Sequence, residues 1–343
     1  MSENLPRSRP ATPGVRLLCA SHSLTRGSAV ESMLSRRPFL LERAAATGLQ
    51  TALLSSAGWV VQWLEGPADS VHAEWEQMCR AAGSAAPLLL HRSRGPGTLA
   101  EPVQVASLHA GDRGSDVARR LHYIAREQQE GWTSEPLEIW RALCAPCLVA
   151  GNGSVGLVGR RHVLALASDD NEGVELVREV AHHAGARLAY QRYAGSELKR
   201  GDVGAAYTDL PGPRTAITRV QALSRRALAA GVGVLGLGHV EQLVLLVGRE
   251  RTRARAVLTE TARLIRGLER PPTIHLVSPC AATRDLAAAA LETMATTQGV
   301  AIHLSENASS ALSAILESLM QPAPAAGPAR QQHAPCAAPV AQD

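Results

Sequence analysis

The order of apolar segments in the first hundred residues limits what this chain can fold into. Runs of strand length alternate with longer amphipathic stretches in the order strand, helix, strand, strand, helix, strand, at residues 15–21, 28–46, 49–55, 59–64, 68–82 and 87–91. Ser56-Ala57-Gly58 is a hairpin signal between the second and third strands, and Pro38 predicts a first helix that is broken or made of two pieces. This βαββαβ order predicts an α+β, ferredoxin-like fold with a groove between its two helices.

Several short stretches of this unit resemble one known family. Gln62-Trp63-Leu64-Glu65-Gly66, after a turn centred on Gly58, is similar to the strand-to-helix signature of BLUF domains, which sense blue light using FAD. Residues 16–21 resemble the first strand of that family, and residues 46–54 resemble the approach to its second strand. The resemblance covers residues 15–107, less than a third of the chain, and implies a BLUF-like domain there.

The resemblance implies a flavin site between the two helices. In this family a tyrosine on the first strand and a glutamine on the third form a hydrogen-bond switch at the isoalloxazine ring, and light drives electron and proton transfer from the tyrosine. Gln62 falls on the switch glutamine, but Cys19 stands at the tyrosine position and Ala44 at that of an asparagine that would pair with the ring edge. Residues 99–107 contain neither the Trp nor the Met that the family often has there.

These substitutions predict a degenerate flavin site. A thiol is a weak hydrogen-bond donor and no aromatic radical relay, so Cys19 cannot reproduce the photochemistry of a tyrosine. A buried Gln62 without a partner would cost roughly 1–3 kcal/mol, so we expect it to bond to backbone or water. We expect no standard photocycle and no bound cofactor, although the shape of the pocket alone could retain weak FAD affinity.

Composition narrows the class of protein further. Hydrophobic residues make up 45% of the chain, so there is ample material for buried cores. The formal net charge is +4, but the arginines are interspersed with acids, which predicts a solvated surface and argues against nucleic acid as a partner. No apolar segment is long enough to span a bilayer or resembles a signal peptide, so a cytoplasmic location and six reduced cysteines are expected. Residues 1–14 and 321–343 contain many prolines and are expected to be disordered.

Residues 108–160 are interpreted as a helical linker. The stretch 116–129 has Val117, Leu121 and Ile124 on one side and arginines on the other, which is typical of an amphipathic helix. Cys144 and Cys147 then form a C-x-x-C pair. Such a pair can be two inert buried thiols, a redox switch or half of a metal site. The surrounding sequence looks helical and no second ligand pair follows, so inert thiols are the preferred interpretation.

Residues 161–320 are predicted to form a second α/β unit. Short strands are expected at 162–168, 185–193, 205–210, 232–238, 242–248, 273–278 and 300–305, with helices at 172–184, 216–229, 252–268, 283–297 and 309–320. The stretch 204–278 repeats the βαββαβ order and is interpreted as a second, more eroded copy of the BLUF-like module. In such a copy, 232–238 and 242–248 would form an antiparallel hairpin, with 205–210 beside 242–248. The glycines at 231–238 lack the spacing of a phosphate-binding loop.

The sequence contains no nucleophile, paired-carboxylate or metalloprotease motif, so it is not expected to be an enzyme. The preferred interpretation is a sensory or regulatory protein that uses a degenerate BLUF-like scaffold for contact with a protein partner. BLUF proteins include antirepressors, so the resemblance implies a transcription factor as one class of partner, and a homodimer is left open. The alternatives are a FAD-binding photoreceptor with altered photochemistry and a thiol-redox regulator using Cys144 and Cys147.

Overall fold

The computed structural model describes residues 14–23, 28–81, 86–108, 112–132, 134–147, 161–168, 172–199, 203–211, 217–229, 231–237, 240–268, 270–305 and 307–320. Disorder was predicted for residues 1–14 and 321–343; residues 1–13 and 321–343 lie outside these ranges, as do residues 148–160 of the predicted linker, whereas Gly14 begins a strand. The first unit consists of β1 (Gly14–His22), α1 (Ala29–Ser35), α2 (Arg37–Thr47), β2 (Gln50–Ser56), β3 (Trp59–Gly66), α3 (Ala68–Ala81), β4 (Leu88–Gly95) and β5 (Val103–Leu108).

Local sequence explains the breaks between these elements. The predicted first helix is two helices, α1 and α2, because a proline, Pro38, lies in the first turn of α2. α2 ends at Gly48, whose φ of 69° is left-handed. The hairpin between β2 and β3 turns at Ala57 (φ 46°) and Gly58 (φ 86°), two successive left-handed residues as in a type I′ turn. Both the broken helix and the hairpin are confirmed.

The first unit is a ferredoxin-like sheet with one strand added. β1 lies between β3 and β4 and is antiparallel to both. β2 is antiparallel to β3, which gives the order β4-β1-β3-β2 of a βαββαβ fold. β5, which the pattern of apolar runs does not single out, pairs parallel with β2. The predicted α+β arrangement is therefore confirmed.

Helices and a second set of strands make up the rest of the described chain. The predicted linker helix is α4 (Gly114–Gln129), and α5 (Pro136–Cys144) follows it. The remaining elements are β6 (Arg161–Ser168), α6 (Glu172–His183), β7 (Leu188–Ala194), β8 (Val203–Pro211), β9 (Ile217–Ser224), α7 (Arg225–Ala229), α8 (Val232–Leu235), β10 (Val240–Leu246), α9 (Arg251–Arg266), β11 (Thr273–Val277), α10 (Ala281–Gln298), β12 (Ile302–Ser305) and α11 (Ala308–Met320). Of the described helices, none has both the length and the apolar character needed to cross a membrane.

The twelve described strands form one mixed sheet in the order β12-β11-β10-β6-β9-β8-β7-β5-β2-β3-β1-β4. The second half of the chain, residues 161–320, contributes five strands that are parallel to one another: β12, β11, β10, β6 and β9. β8 and β7 are antiparallel to their neighbours and connect this group to β5. A second α/β unit therefore follows the first, as predicted, and continues its sheet.

Two element predictions within 204–278 are wrong. The stretch 216–229, predicted as a helix, contains strand β9 and the short helix α7, and the stretch predicted as a strand at 232–238 contains helix α8. β9 is buried along almost its whole length between β6 and β8. Burial in the middle of a sheet has overridden the local helix preference of its sequence.

The strand pairing expected of a second BLUF-like copy is also wrong. β10 lies between β6 and β11, parallel to both, so it forms no hairpin with the segment before it. β8 lies beside β7 and β9 instead of β10. The sheet across 160–320 is not purely parallel either, and a second copy at 204–278 stays a hypothesis without support from strand pairing.

Both faces of the first unit are covered. On one face, α1, α2 and α3 pack against β1, β2, β3 and β5 through two apolar clusters. On the other face, α4 and α5 cover a core that contains Trp63 of β3 and Trp140 of α5. These two indoles are fully buried, with ring centroids 5.8 Å apart. The sheet is thus a middle layer, and each face has its own helices.

α2 makes direct hydrogen bonds to the loop that follows β7, in the second half of the chain. The buried guanidinium of Arg37, in the first turn of α2, donates to the carbonyl oxygens of Gly195 and Glu197, each at 3.0 Å through one of its nitrogens. Ser196 Oγ donates to the carbonyl oxygen of Val103 at 3.1 Å, and Glu101 accepts the N–H of Ser196 at 2.7 Å. A displacement of α2 would therefore disturb the loop that follows β7.

Candidate functional site between α2 and α3

Cys19 and Gln62 lie opposite each other on the face of the sheet that α2 and α3 cover. They are register partners in β1 and β3, and directly opposed residues of antiparallel strands point to the same side. Cys19 is 2% exposed, and its Sγ lies 3.8 Å from the carbonyl oxygen of Gln62 and 4.0 Å from Sδ of Met78 on α3. Burial, followed by the charges of Cys79 and Glu74, raises the pKa of the Cys19 thiol. Cys19 is thus a protonated, weakly hydrogen-bonding group.

Gln62 lies on the same face of the sheet as Cys19, the face that α2 and α3 cover. It is 9% exposed, and its side-chain amide has no hydrogen-bond partner among the described residues. Its other cross-strand neighbour is Leu53 of β2, which is apolar. Gln62 was expected to bond to the backbone or to water. No backbone group of the described residues bonds to its amide, so water is the remaining candidate.

Ala44 is on α2 and half-buried. The strand pairing brings Cys19 and Gln62 together, whereas Ala44 belongs to the helix that covers them. Its methyl group adds no donor or acceptor to the slot, which is the space between α2, α3 and the sheet face that carries Cys19 and Gln62. Of the three positions that the resemblance assigns to a flavin site, only Gln62 carries an amide or an aromatic hydroxyl.

The Leu64-Glu65-Gly66 end of the signature has a structural role. Glu65 is 2% exposed and accepts the N–H groups of Thr98 at 2.6 Å and Leu99 at 2.9 Å, so it holds the loop before β5. Gly66 has a φ of 154°, and a Cβ there would lie 2.9 Å from the carbonyl oxygen of Gly48. A side chain would clash at this crossing of two loops, which explains the glycine without any ligand.

An ion pair that was not predicted from the sequence bridges α2 and α3. The guanidinium of Arg43 on α2 contacts the carboxylate of Glu74 on α3, with side chains that are 21% and 5% exposed. Arg43 also donates to Oε1 of Gln77 at 3.2 Å, and Ser70 Oγ donates to the carbonyl oxygen of Thr47 at 3.0 Å. One sequence signal could have found this pair, because Glu74 lies three residues after Val71, within the apolar stripe of α3.

The side chains in this slot do not match the needs of an isoalloxazine ring. The pair of Arg43 and Glu74 crosses from one helix to the other, and Glu74 is close enough to Cys19 to act on the pKa of its thiol. A planar ring between α2 and α3 would have to separate these two charges and leave a carboxylate in a buried setting. Neither Cys19 nor Ala44 would give the ring a hydrogen bond of ordinary strength.

A second buried polar group lies between β8 and β9, within the second half of the sheet. Arg219 on β9, 1% exposed, donates to both carboxylate oxygens of Asp209 on β8 at 2.7 and 2.8 Å and to the carbonyl oxygen of Cys144 at 3.0 Å. Its guanidinium lies 3.9 Å from the ring centroid of Tyr207. Burial alone would lower the pKa of Arg219, but Asp209 raises it above its ordinary value. The hydrogen bond from Arg219 to Cys144 holds the end of α5 against β9.

The thiol pair lies at the end of α5. Cys144 is buried, and the N–H of the half-buried Cys147 donates to Oδ1 of Asp112 at 3.0 Å. Burial raises the pKa of Cys147 to about 12, even though Arg120 acts in the opposite direction. The guanidinium of Arg120 donates to three carbonyl oxygens of this turn, at 2.5–2.9 Å. A redox thiol needs thiolate character, so this geometry favours inert thiols.

In the part of the chain that is described, no three His, Cys, Asp or Glu side chains are placed to hold a metal.

Iodoacetamide at pH 7.5 is expected to modify Cys280 well before Cys147. Hydrogen bonds from the backbone and side chain of Thr283 lower the pKa of Cys280, which is at the start of α10. With a pKa of about 12, Cys147 would be ionised in only roughly one molecule in 30,000 at that pH. Peptide mass spectrometry of the native and the urea-unfolded protein would measure both rates. Equal rates in the native protein would revive the redox alternative.

Comparison with known proteins gives weak similarities. No protein-family model and no curated protein matches the chain significantly. The photo-activated state of BlsA is 15% identical, over 34% of this chain and 81% of that chain, with a TM-score of 0.21. The ground state of BlsA is 16% identical, over 32% and 72% of the two chains, with a TM-score of 0.21. A bacterial light-regulated adenylyl cyclase is 11% identical, over 64% of this chain and 80% of that chain, with a TM-score of 0.27. These values relate the chain to light-responsive proteins of known structure only weakly.

Proposed function

We propose that this chain is a non-enzymatic sensory or regulatory protein with a degenerate BLUF-like unit, which acts through contact with another protein and performs little or no flavin photochemistry. The ion pair between Arg43 and Glu74 is the observation that supports this most directly. It joins α2 and α3 across the slot in which the resemblance puts the flavin. Cys19 on the sheet also contacts Met78 of α3, so the chain's own side chains occupy part of this slot.

The contacts of the first unit suggest how a partner that binds there would change the second half of the chain. Arg37 fixes α2 to the loop after β7, and Glu31 of α1 pairs with Arg192 of β7 at 2.5 Å. On the other face of the sheet, Trp63 of β3 packs on Trp140 of α5. A partner that shifts α1 and α2 would act on the second half through these contacts, with no need for a bound chromophore.

The proposed partner is a regulatory protein, and a transcription factor is one class that the BLUF resemblance suggests. A cytoplasmic location and the absence of enzymatic activity belong to the same proposal. If the protein is not a light sensor, loss of its gene should change transcript levels to the same extent in darkness and in blue light.

Purified protein from riboflavin-supplemented cells is expected to carry far less than one FAD per chain. The visible spectrum should lack the flavin band near 450 nm, and added FAD should not raise the melting temperature. A bound ligand at 100 times its Kd would stabilise the fold by about 2.7 kcal/mol, so binding would be visible. Release of nearly one FAD per chain on denaturation would contradict the proposal.

One observation favours a second candidate, a FAD-binding photoreceptor with altered photochemistry. Gln62 is the residue that the resemblance puts at the switch glutamine, and its amide has no hydrogen-bond partner among the described residues. The spectrum above separates the two candidates, because this alternative requires stoichiometric flavin and a blue-light-induced change in its absorption. The thiol-redox alternative requires a reactive Cys147, against which its raised pKa argues.

A further inference from the structure

An apolar groove lies between α9 and α10, on the outside of the second half. Its volume is about 390 Å³, and Leu258, Ala262, Leu286, Ala290 and Leu291 contribute its apolar lining. Leu258 and Leu291 belong to the hydrophobic core, whereas Ala290 is exposed. The groove therefore offers a shallow apolar surface to a partner of modest width.

Exposed arginines follow this groove along α9. Arg251, Arg255 and Arg266 project within about 60° of one another at 100° per residue, and they span about 22 Å of the helix. All three are exposed, and none of them has an acidic side chain within salt-bridge distance among the described residues. Arg255 itself lines the groove.

The acidic residues of both helices lie away from this row. Glu260 pairs with Arg263, and Glu250 pairs with Arg253. On α10, Asp285 and Glu292 project about 100–120° away from Leu286, the residue that lines the groove. The groove is thus bordered by cations on one side and by small apolar residues on the other.

We propose that this groove binds an acidic amphipathic helix of a partner protein. An apolar stripe on that helix would pack on Leu258 and Leu286, and its carboxylates would pair with Arg251, Arg255 and Arg266. A helix that reaches from Arg251 to Arg266 needs about 15 residues. The chain's own residues 321–343 contain a single acid, Asp343, and many prolines, so they do not fit this description.

Nucleic acid fits the groove less well. Residues 249–298 contain no Phe, Tyr or Trp, and sequence-tolerant binding of single strands uses aromatic stacking. Small apolar residues on α10 also offer nothing to a phosphate backbone. The inference rests on one part of the proposed function, namely that the protein acts through another protein.

The test is a fluorescence anisotropy titration of the full-length protein with a labelled 18-residue model peptide. The peptide is built from Leu, Ala and Glu, with the leucines on one face and the glutamates flanking them. A shuffled peptide of the same composition has no such face and is expected to bind at least about tenfold more weakly. A labelled single-stranded oligonucleotide should also bind more weakly than the amphipathic peptide.

A matched pair of variants tests the site. Arg255→Glu should weaken peptide binding by about tenfold or more, while Arg253→Glu should change it by less than about twofold. Both change the net charge equally, but Arg253 projects about 160° away from Arg255 on the same helix. Ala290→Glu, which adds an acid to the exposed wall of the groove, should also abolish binding, and thermal melting would show that it is folded.

Three results would overturn the inference: no peptide binding up to millimolar concentration, equal weakening by both arginine variants, or tighter binding of the oligonucleotide. Its failure is separable from that of the proposed function. A flavin-free protein that ignores the peptide would refute only the groove. A stoichiometric flavoprotein would refute the proposed function, whatever the peptide does.

Discussion

Replacing Asp209 with alanine is expected to lower the free energy of unfolding by about 3–5 kcal/mol. The substitution leaves the guanidinium of Arg219, which is 1% exposed, in the interior without its counter-charge. Among the described residues, the carbonyl oxygen of Cys144 and the ring of Tyr207 would remain in contact with it. Chemical denaturation followed by circular dichroism would measure the loss.

Two controls sharpen this expectation. Glu130→Ala removes an ion pair with Arg126 whose side chains are both more than half exposed, and it should cost less than about 0.5 kcal/mol. The double change Arg219→Met with Asp209→Leu removes both charges and should recover much of the lost stability. If Asp209→Ala is as mild as Glu130→Ala, the junction between β8 and β9 is not arranged as described.

Arg43→Ala is expected to destabilise the protein by about 2–3 kcal/mol. It leaves the carboxylate of Glu74, which is 5% exposed, without its cation, although the partial exposure of Arg43 limits the effect. The matched control is Arg43→Leu with Glu74→Leu, which removes both charges and should restore much of the stability. A double-mutant cycle over these variants would give the coupling energy of the pair.

The same variants bear on the flavin slot. If the ion pair helps to exclude a ring from between α2 and α3, the double leucine variant should bind FAD more tightly than the wild type. Arg43→Ala with no loss of stability would show that Glu74 is already solvated, and the slot would then be open to water. That result would remove the main support for a flavin-free function.

The architecture of the first unit could be predicted because its signals are local. Pro38 breaks the first helix, and Ala57 and Gly58 form the turn of a two-residue hairpin. Once β1 and β3 are adjacent and antiparallel, the period of two in a strand is enough to place Cys19 and Gln62 on one face. That Cys19 and Gln62 share one face of the sheet therefore followed from the sequence once this pairing was known.

Elements of the second half depended on distant residues instead. The sequence of β9 contains Arg219 and Gln221, which resemble surface residues of a helix, yet both are buried among the strands around them. Arg219 tolerates this location because Asp209, ten residues earlier, neutralises it across the sheet. Local propensity could not supply that partner, and so the helix prediction for 216–229 was wrong.

The sequence by itself determined the βαββαβ order, and it has Cys19 and Ala44 where the BLUF resemblance expects a tyrosine and an asparagine. Only the tertiary structure decided that Arg43 and Glu74 meet across the slot, that β5 joins β7 in one continuous sheet and that β10 lies between β6 and β11. The physical reason is the separation along the chain between the residues that interact. Turns, caps and apolar periodicity act over a few residues, whereas strand neighbours and buried charge pairs are selected by burial among segments that are far apart in the chain.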